Sequence, residues 1–344
     1  MMLSSFNNNI VMPAEWAQHR ATWLAWPHDK ITFPDRVEKV EQLYALIISH
    51  LSANEIVNLL VLDNAMQARV STLLLSHQIN LDKIVFHEVD YADVWTRDYW
   101  PTAVINNKKI TWIKWRYNAY GNKFPGLLKD DQVFLKFGKK FEIPMFAAEI
   151  VMEGGAIEVN GAGILLTTEE CLLNPNRNLQ VNKKQTEEYL KKYLGVKKII
   201  WLKKGLINDH TDGHIDEIAR FVNANTIVCA YEDDHSDPNF KILDENFRIL
   251  QAATDQDGKF FNIIKLPMPK MQYDNGERAP VSYANFYIAN TVVLMPVFEH
   301  KNDLAALKII QKLFPERKVI GVNCTDVIYG GGTIHCITQQ EIQI

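Results

Sequence analysis

The feature that most constrains this chain is a recurring order of short apolar runs and helix-period segments. A run rich in Val, Ile and Leu is followed by polar residues. A stretch with apolar residues at i, i+3, i+4 and i+7 comes next, and then another short apolar run. Five such passes are read. The first goes from ATWLAWP (21–27) through 35–51 to EIVNLLVL (55–62), and the second continues through 64–77 to KIVFHEV (83–89). The others are 163–169 through 184–194 to 197–202, 226–232 through 242–252 to 261–267, and 291–297 through 302–313 to 318–323. Segments such as DLAALKIIQKLF have the 3.6-residue helical period, while the flanking β-branched runs fit strands. Strands alternating with helices predict an α/β protein. The recurrence predicts several similar units packed around a centre. The stretch 102–147 breaks the pattern, since it is aromatic and basic (TWIKWRYNAYGNKF, 111–124) and is expected to form two strands and a long loop.

No low-complexity tract or Pro/Ser-rich linker divides the chain, so a single domain over 1–344 is expected. With 37 Lys and Arg against 41 Asp and Glu, the net charge of −4 gives no global positive charge to neutralise phosphates, so no nucleic-acid partner is expected. An apolar content of 47% excludes disorder and supplies a core that needs no disulfide or metal. Cys171, Cys229, Cys324 and Cys336 have no CxxC spacing, so neither a disulfide framework nor a structural zinc site is expected. The N-terminus lacks a basic start followed by an apolar run, and TVVLMPVF (291–298) is far too short to cross a bilayer. No membrane partner is expected, and the expected location is the cytoplasm. A doubly wound nucleotide fold has no support, because neither G-x-G-x-x-G nor G-x-x-x-x-G-K-[ST] occurs.

Four segments carry polar groups where a core would prefer none: DVWTRDYWP (93–101), VMEGGAIEV (151–159), NDHTDGHIDEIARF (208–221) and IYGGGTIHCITQQ (328–340). Cys336 follows Gly330, Gly331 and Gly332, which let a ligand approach the backbone, and sits beside His335. A thiol with its ordinary pKa near ~8.5 needs a base or a positive neighbour to act as nucleophile. The other three cysteines read as small buried hydrophobes. An extended backbone would put Asp212, His214 and Asp216 on one face, which suits acid–base work or metal binding; a loop with solvated charges is the plainer reading. His210 and His214 are four apart, but Gly213 and two Asp residues argue against a helix there. Asp98 lies among Trp95, Tyr99 and Trp100, an arrangement suited to a flat guanidinium, or else Asp98 simply pairs with an Arg. Glu153, before Gly154 and Gly155, either orients a histidine or sits in a surface turn.

Together these segments resemble the agmatine deiminase and bacterial peptidylarginine deiminase family of guanidino-modifying enzymes. The resemblance runs from MPAEWAQHRATWLAWP (12–27) through W-x-R-D, NAYG (118–121), EGGAIEV, LLNPNRN (172–178) and DGHIDE to GGGTIHCITQQ. It implies the pentein fold, an α/β propeller of five ββαβ units around a pseudo-fivefold axis. It implies Cys336 as nucleophile, His214 as general acid/base, Glu153 as the acid that hydrogen-bonds that histidine, and Asp98 and Asp216 as the carboxylates that grip the guanidinium. Trp95 and Gly332 are the further substrate-binding positions it suggests. No metal and no organic cofactor are expected, and a small guanidino compound, agmatine first, is the expected substrate. One position departs: His210 stands where several agmatine deiminases carry a glutamate, so Asp209 or an acid within 232–237 is the expected partner for a terminal ammonium. Two readings of other classes are a metal-dependent hydrolase on His210, His214 and Asp216, and a non-catalytic pentein that binds a partner. The sequence leaves the oligomeric state open, a homodimer included, as it does whether the aromatics of 112–124 serve as an interface or a lid.

Overall fold

The structure, a computed structural model, describes residues 10–138 and 143–344. Among the described residues the strands fall into five sheets, each with an antiparallel pair followed by a crossover to a parallel strand. Three sheets follow this plan without addition. Glu158–Val159 and Ile164–Thr168 are antiparallel, and the helix Lys183–Leu194 leads to the parallel strand Lys198–Leu202. Ala219–Asn223 and Thr226–Tyr231 lead through the helix Phe240–Ala252 to Asn262–Pro267. Tyr287–Ile288 and Val292–Val297 lead through Asp303–Leu313 to Lys318–Asn323. The fourth sheet joins the two ends of the chain. The strand Gln339–Ile342 pairs antiparallel with His19–Ala25, which is followed through the helix Val37–Leu51 by Ile56–Val61 and through Asn64–Ser76 by Ile84–Glu88.

The fifth sheet corrects the sequence reading. The first two passes of the repeat share one sheet, and the missing unit is the segment 102–147 that was expected to be two strands and a loop. Thr102–Asn106 and Lys109–Arg116 are antiparallel, Met145–Val151 adds parallel to Lys109–Arg116, and Ile10–Val11 pairs on the other edge. The reason is local. The crossover here contains no long amphipathic helix but the short helical turns Pro125–Gln132 and Val133–Phe137, so the 3.6-residue period has too little length to be seen. The aromatics of this segment are also core residues. Within 111–124, Trp112, Trp115, Tyr117 and Tyr120 are buried, and Phe124 is the one aromatic substantially exposed, at 38%.

Elsewhere the helices form where the pattern expects them. Val37–Leu51 buries Val40, Leu43, Tyr44, Ile47, Ile48 and Leu51, one continuous stripe at helical spacing. Each such side chain contributes roughly 1.5–3 kcal/mol relative to exposure. Lys183–Leu194 starts with a capping box between Asn182 and Gln185 and ends at Gly195, whose φ of 68° is the left-handed stop that glycine supplies without strain. No helix among the described residues is long and apolar enough to cross a membrane.

Between the sheets lies a buried ionic hub. The Arg220 side chain is fully buried; its Nη2 donates to Glu15 Oε1 at 2.8 Å and its Nε to Glu158 Oε2 at 2.9 Å. Arg220 Nη1 is satisfied by the carbonyls of Ala284 and Phe286. Arg97 Nη2 reaches Glu15 Oε2 at 3.3 Å, and its Nε donates to the His335 carbonyl at 3.2 Å. These groups come from segments far apart in sequence, so the hub fixes where those segments meet. Its stability follows from its being complete: a buried charge costs several kcal/mol unless paired and hydrogen-bonded. Replacing Arg220 with Met leaves Glu15 and Glu158 without their shared cation. A loss of about 3–5 kcal/mol in urea unfolding is the expected outcome, and a loss below about 1 kcal/mol would show that the hub is not a structural centre.

Candidate active site

A cleft of about 680 Å³ opens onto Cys336, with Trp95, Asp98, Tyr120, Phe124 and His210 among its walls. The short helical turn Thr96–Tyr99 delivers Asp98, and Arg97 beside it anchors the turn in the hub. Asp98 Oδ1 accepts from the Gly155 N–H at 2.9 Å, and its Oδ2 accepts from the Tyr120 hydroxyl at 2.8 Å. Tyr120 belongs to a run of positive φ: Ala119 at 53°, Tyr120 at 58°, Gly121 at 79° and Asn122 at 62°. Non-glycine residues hold such angles only where neighbours over-determine them. Here Asn118 accepts from the Gly121 N–H and donates to the Asn176 carbonyl, and a Cβ on Gly121 would meet Asn176 Cγ at 2.4 Å.

The segment around His214 is not extended. Asn208 and Asp212 take positive φ (62° and 65°), Gly213 follows at 83°, and Ile215–Glu217 is a 3₁₀ turn. Asp212 therefore leaves the face shared by His214 and Asp216 and pairs instead with Arg177 and Lys123. Asp209 holds the loop: its oxygens accept from the N–H groups of Thr211, Gly213 and His214 and from the Thr211 hydroxyl. It is not among the residues that line the cleft. The acids of 232–237 do not line the cleft either; Glu232, Asp234 and Asp237 surround Lys270, and Asp237 also pairs with Arg278. The carboxylates that do line it, besides Asp98, are Asp29 and Asp93.

The five predicted catalytic residues come together. His214 Nδ1 is 3.8 Å from Asp98 Oδ1, and its Nε2 is 4.0 Å from Glu153 Oε2. Neither ring nitrogen has a hydrogen-bond partner, although the residue is only 1% exposed. Burial opposes charge on this ring, but Asp98, the Cys171 thiol and Asp216 outweigh it and hold the pKa well above the usual imidazole range. Glu153 is fixed by Arg177, whose Nε donates to Oε1 at 2.7 Å. The Cys336 thiol has Asn285 Nδ2 at 3.2 Å, Asp216 Oδ2 at 3.9 Å and Glu217 Oε1 at 4.0 Å. Burial, then Asp216, Glu217 and Asp98, push its pKa well above the ordinary thiol value. Burial likewise raises Asp98 to about 6, with Asp216 and Glu153 adding to the rise and His214 opposing it.

Glycines shape the floor. A Cβ on Gly155 would stand 2.5 Å from His214 Nδ1 and 3.0 Å from both Asp98 Oδ1 and Asp216 Oδ2. On Gly332 it would meet a Trp95 ring carbon at 2.9 Å and Cys336 Sγ at 3.0 Å, so the predicted Gly332 and Trp95 flank the thiol.

Several groups escaped the sequence reading. His335 Nδ1 lies 2.6 Å from Asp216 Oδ2 and its Nε2 lies 2.7 Å from Glu15 Oε2. Burial works against the charges of Asp216 and Glu15, but His335 lowers both carboxyls, and Arg220 adds to the effect, most strongly at Glu15. Cys171, read as an inert hydrophobe, has its thiol against the His214 ring. Two groups could hold a cation by proximity, Glu153–Cys171–His214 and Asp216–Glu217–Cys336, each with ligand atoms within 4.8 Å of one another. Neither includes His210, an exposed residue whose ring centre lies 5.8 Å from that of Phe124, so the metal set His210–His214–Asp216 is not assembled among the described residues.

A buried thiol, a histidine with both nitrogens free and carboxylates set around them can bind a small flat cation and attack it. The comparisons agree. Residues 11–341 match the family model described as Porphyromonas-type peptidyl-arginine deiminase. A protein of Legionella pneumophila (strain Paris) that carries the name "Putative agmatine deiminase" is 39% identical over 96% of this chain and 94% of its own. The solved agmatine deiminase of C. jejuni with substrate bound is 30% identical, covers 97% of this chain and 96% of its own, and superposes with a TM-score of 0.88. The agmatine deiminase of Enterococcus faecalis has the same identity and TM-score, with 99% and 98% covered. The five-sheet α/β architecture is the pentein fold of these deiminases. The chain belongs to the Porphyromonas-type peptidyl-arginine deiminase family.

Proposed function

We propose that this chain is an agmatine deiminase, converting agmatine and water to N-carbamoylputrescine and ammonia, and that residues 1–344 form one catalytic domain whose five sheets close as a propeller around the hub. The observation that carries this reading is the placement of Cys336 Sγ near Asp216, with Asp98 and the unpartnered His214 adjoining. Four free, buried cysteines support a reducing, cytoplasmic setting.

The guanidinium lies flat between Asp98 and Asp216, with Trp95 along the alkyl chain. Its positive charge offsets the carboxylates that keep the thiol protonated, so Cys336 loses its proton to solvent and becomes the thiolate when substrate is in place. The thiolate adds to the guanidinium carbon. His214, as imidazolium, protonates one amino group, the C–N bond breaks and ammonia leaves, giving an S-alkylthiouronium on Cys336. Neutral His214 then takes a proton from water as its oxygen adds to the same carbon. Collapse breaks the C–S bond, the hydroxyl proton passes to the departing sulfur, and the ureido product leaves with the Cys336 thiol restored. Glu153, held by Arg177, turns toward His214 Nε2 and stabilises its charged form. No step uses a metal. Asp93 and Asp29, which line the cleft where Asp209 does not, take the distal ammonium.

Ammonia release from agmatine, free arginine and a peptidyl-arginine ester tests this. Wild type turns over agmatine, Cys336→Ala does not, and EDTA has no effect. Activity that survives Cys336→Ala or is lost to EDTA would overturn the mechanism, and turnover confined to the ester would replace the substrate.

The slot also carries a cost in stability. The Asp98 carboxyl is held at about 6 against 3.8 for the free group. Folding therefore favours its protonated form, and stability is lost as pH rises from about 4 to 6. Asp98→Asn removes that loss. The expected result is a variant more stable than wild type by about 1–3 kcal/mol at pH 8, no more stable at pH 4, and at least ~100-fold lower in kcat/KM. Thermal unfolding at both pH values checks it; an equal or lower Tm at pH 8 would contradict it.

A further inference from the structure

On top of the deiminase reading, we infer that Glu217 is a third carboxyl of the guanidinium slot, accepting a substrate N–H through Oε2 beside Asp216 Oδ1. The 3₁₀ turn Ile215–Glu217 presents Asp216 and Glu217 together to Cys336, at 3.9 and 4.0 Å from Sγ. The neighbouring acceptors differ in what they already hold. Both oxygens of Asp98 are used, by Gly155 N–H and the Tyr120 hydroxyl, and Asp216 Oδ2 is used by His335. Asp216 Oδ1 and Glu217 Oε2 are buried and have no partner. Buried acceptors are rarely left unmade. An alkylguanidinium brings five N–H donors in one plane, more than Asp98 and the one free oxygen of Asp216 can satisfy. Glu153 Oε2, the other free carboxylate oxygen nearby, faces His214 instead.

The charge balance gives this contact a signature. Burial first, then Asp216 and Asp209, raise the Glu217 carboxyl well above its usual value, with His214 and Arg220 opposing. Cys336, Tyr273 and Cys324 also feel it, and it disfavours their ionisation. The slot's own groups therefore favour the neutral acid form of Glu217 over its carboxylate. A bound guanidinium adds a positive charge to that set, draws the proton off and leaves a carboxylate on the new N–H. Substrate binding is thus coupled to release of a proton to solvent.

Calorimetric titration of agmatine into Cys336→Ala, which binds without turnover and lacks the thiol proton, tests this in buffers of different ionisation enthalpy at pH 7. The expected result is release of about one proton per agmatine bound. With Glu217→Gln added, which keeps the shape and a carbonyl acceptor but cannot ionise, release falls to none and binding weakens at least ~10-fold. Glu217→Asp in the same background restores the release, and covers the case in which the Gln variant fails to fold. An equal proton count and an equal affinity for agmatine in Cys336→Ala with and without Glu217→Gln would overturn the role of Glu217 while leaving the deiminase reading intact. No binding of agmatine, arginine or methylguanidine to Cys336→Ala would overturn both.

Discussion

The ion pairs of Arg220 with Glu15 and Glu158 are the contacts on which the rest depends. Arg220 is unexposed, and Glu15 joins it to Arg97 and His335. None of these groups tolerates a missing partner, so the segments that bear them have one arrangement. The chemistry inherits that precision through the chain itself. Arg97 precedes Asp98, His335 precedes Cys336, and Arg220 lies three residues after Glu217 in the segment that holds His214 and Asp216. Each site residue is thus a near neighbour in sequence of a residue locked in the hub. His335 closes the link directly, with one nitrogen on Glu15 and the other on Asp216.

The slot itself is built the other way, with more negative charge than its own groups balance. Burial raises Asp98 to about 6 and disfavours the charged forms of Glu217 and of the Cys336 thiol. A cation completes the balance. In the proposed mechanism, thiolate formation is then a consequence of binding rather than a property of the resting protein. The strained run at Ala119–Asn122 places the Tyr120 hydroxyl on Asp98.

Much of this was legible in the sequence, and the rest was hidden for physical reasons. Strand and helix alternation was plain wherever a long amphipathic helix made the crossover, as at Val37–Leu51. It failed at 102–147, where short turns replace the helix. The site residues were visible because polar groups stood in apolar surroundings next to glycines. What could not be read was direction. Nothing in N-D-H-T-D-G-H says that Asp209 folds back on its own N–H groups or that Asp212 turns to Arg177, because both follow from positive φ at Asn208, Asp212 and Gly213. The meeting of Glu15 with His335, 320 positions apart, and of Cys171 with His214 is long-range and leaves no local period. The doublet Asp216–Glu217 was in view, but only the 3₁₀ turn makes neighbours face the same thiol.

The central claim is that Cys336 forms a covalent bond with the substrate carbon inside this slot. Acid-quenching wild-type protein during turnover of agmatine, followed by peptide mass spectrometry, tests it most directly. The account predicts an adduct equal to agmatine less ammonia on the peptide that carries Cys336, and none on the peptide that carries Cys171. Turnover with no adduct on any thiol, or with the adduct on Cys171, would contradict it.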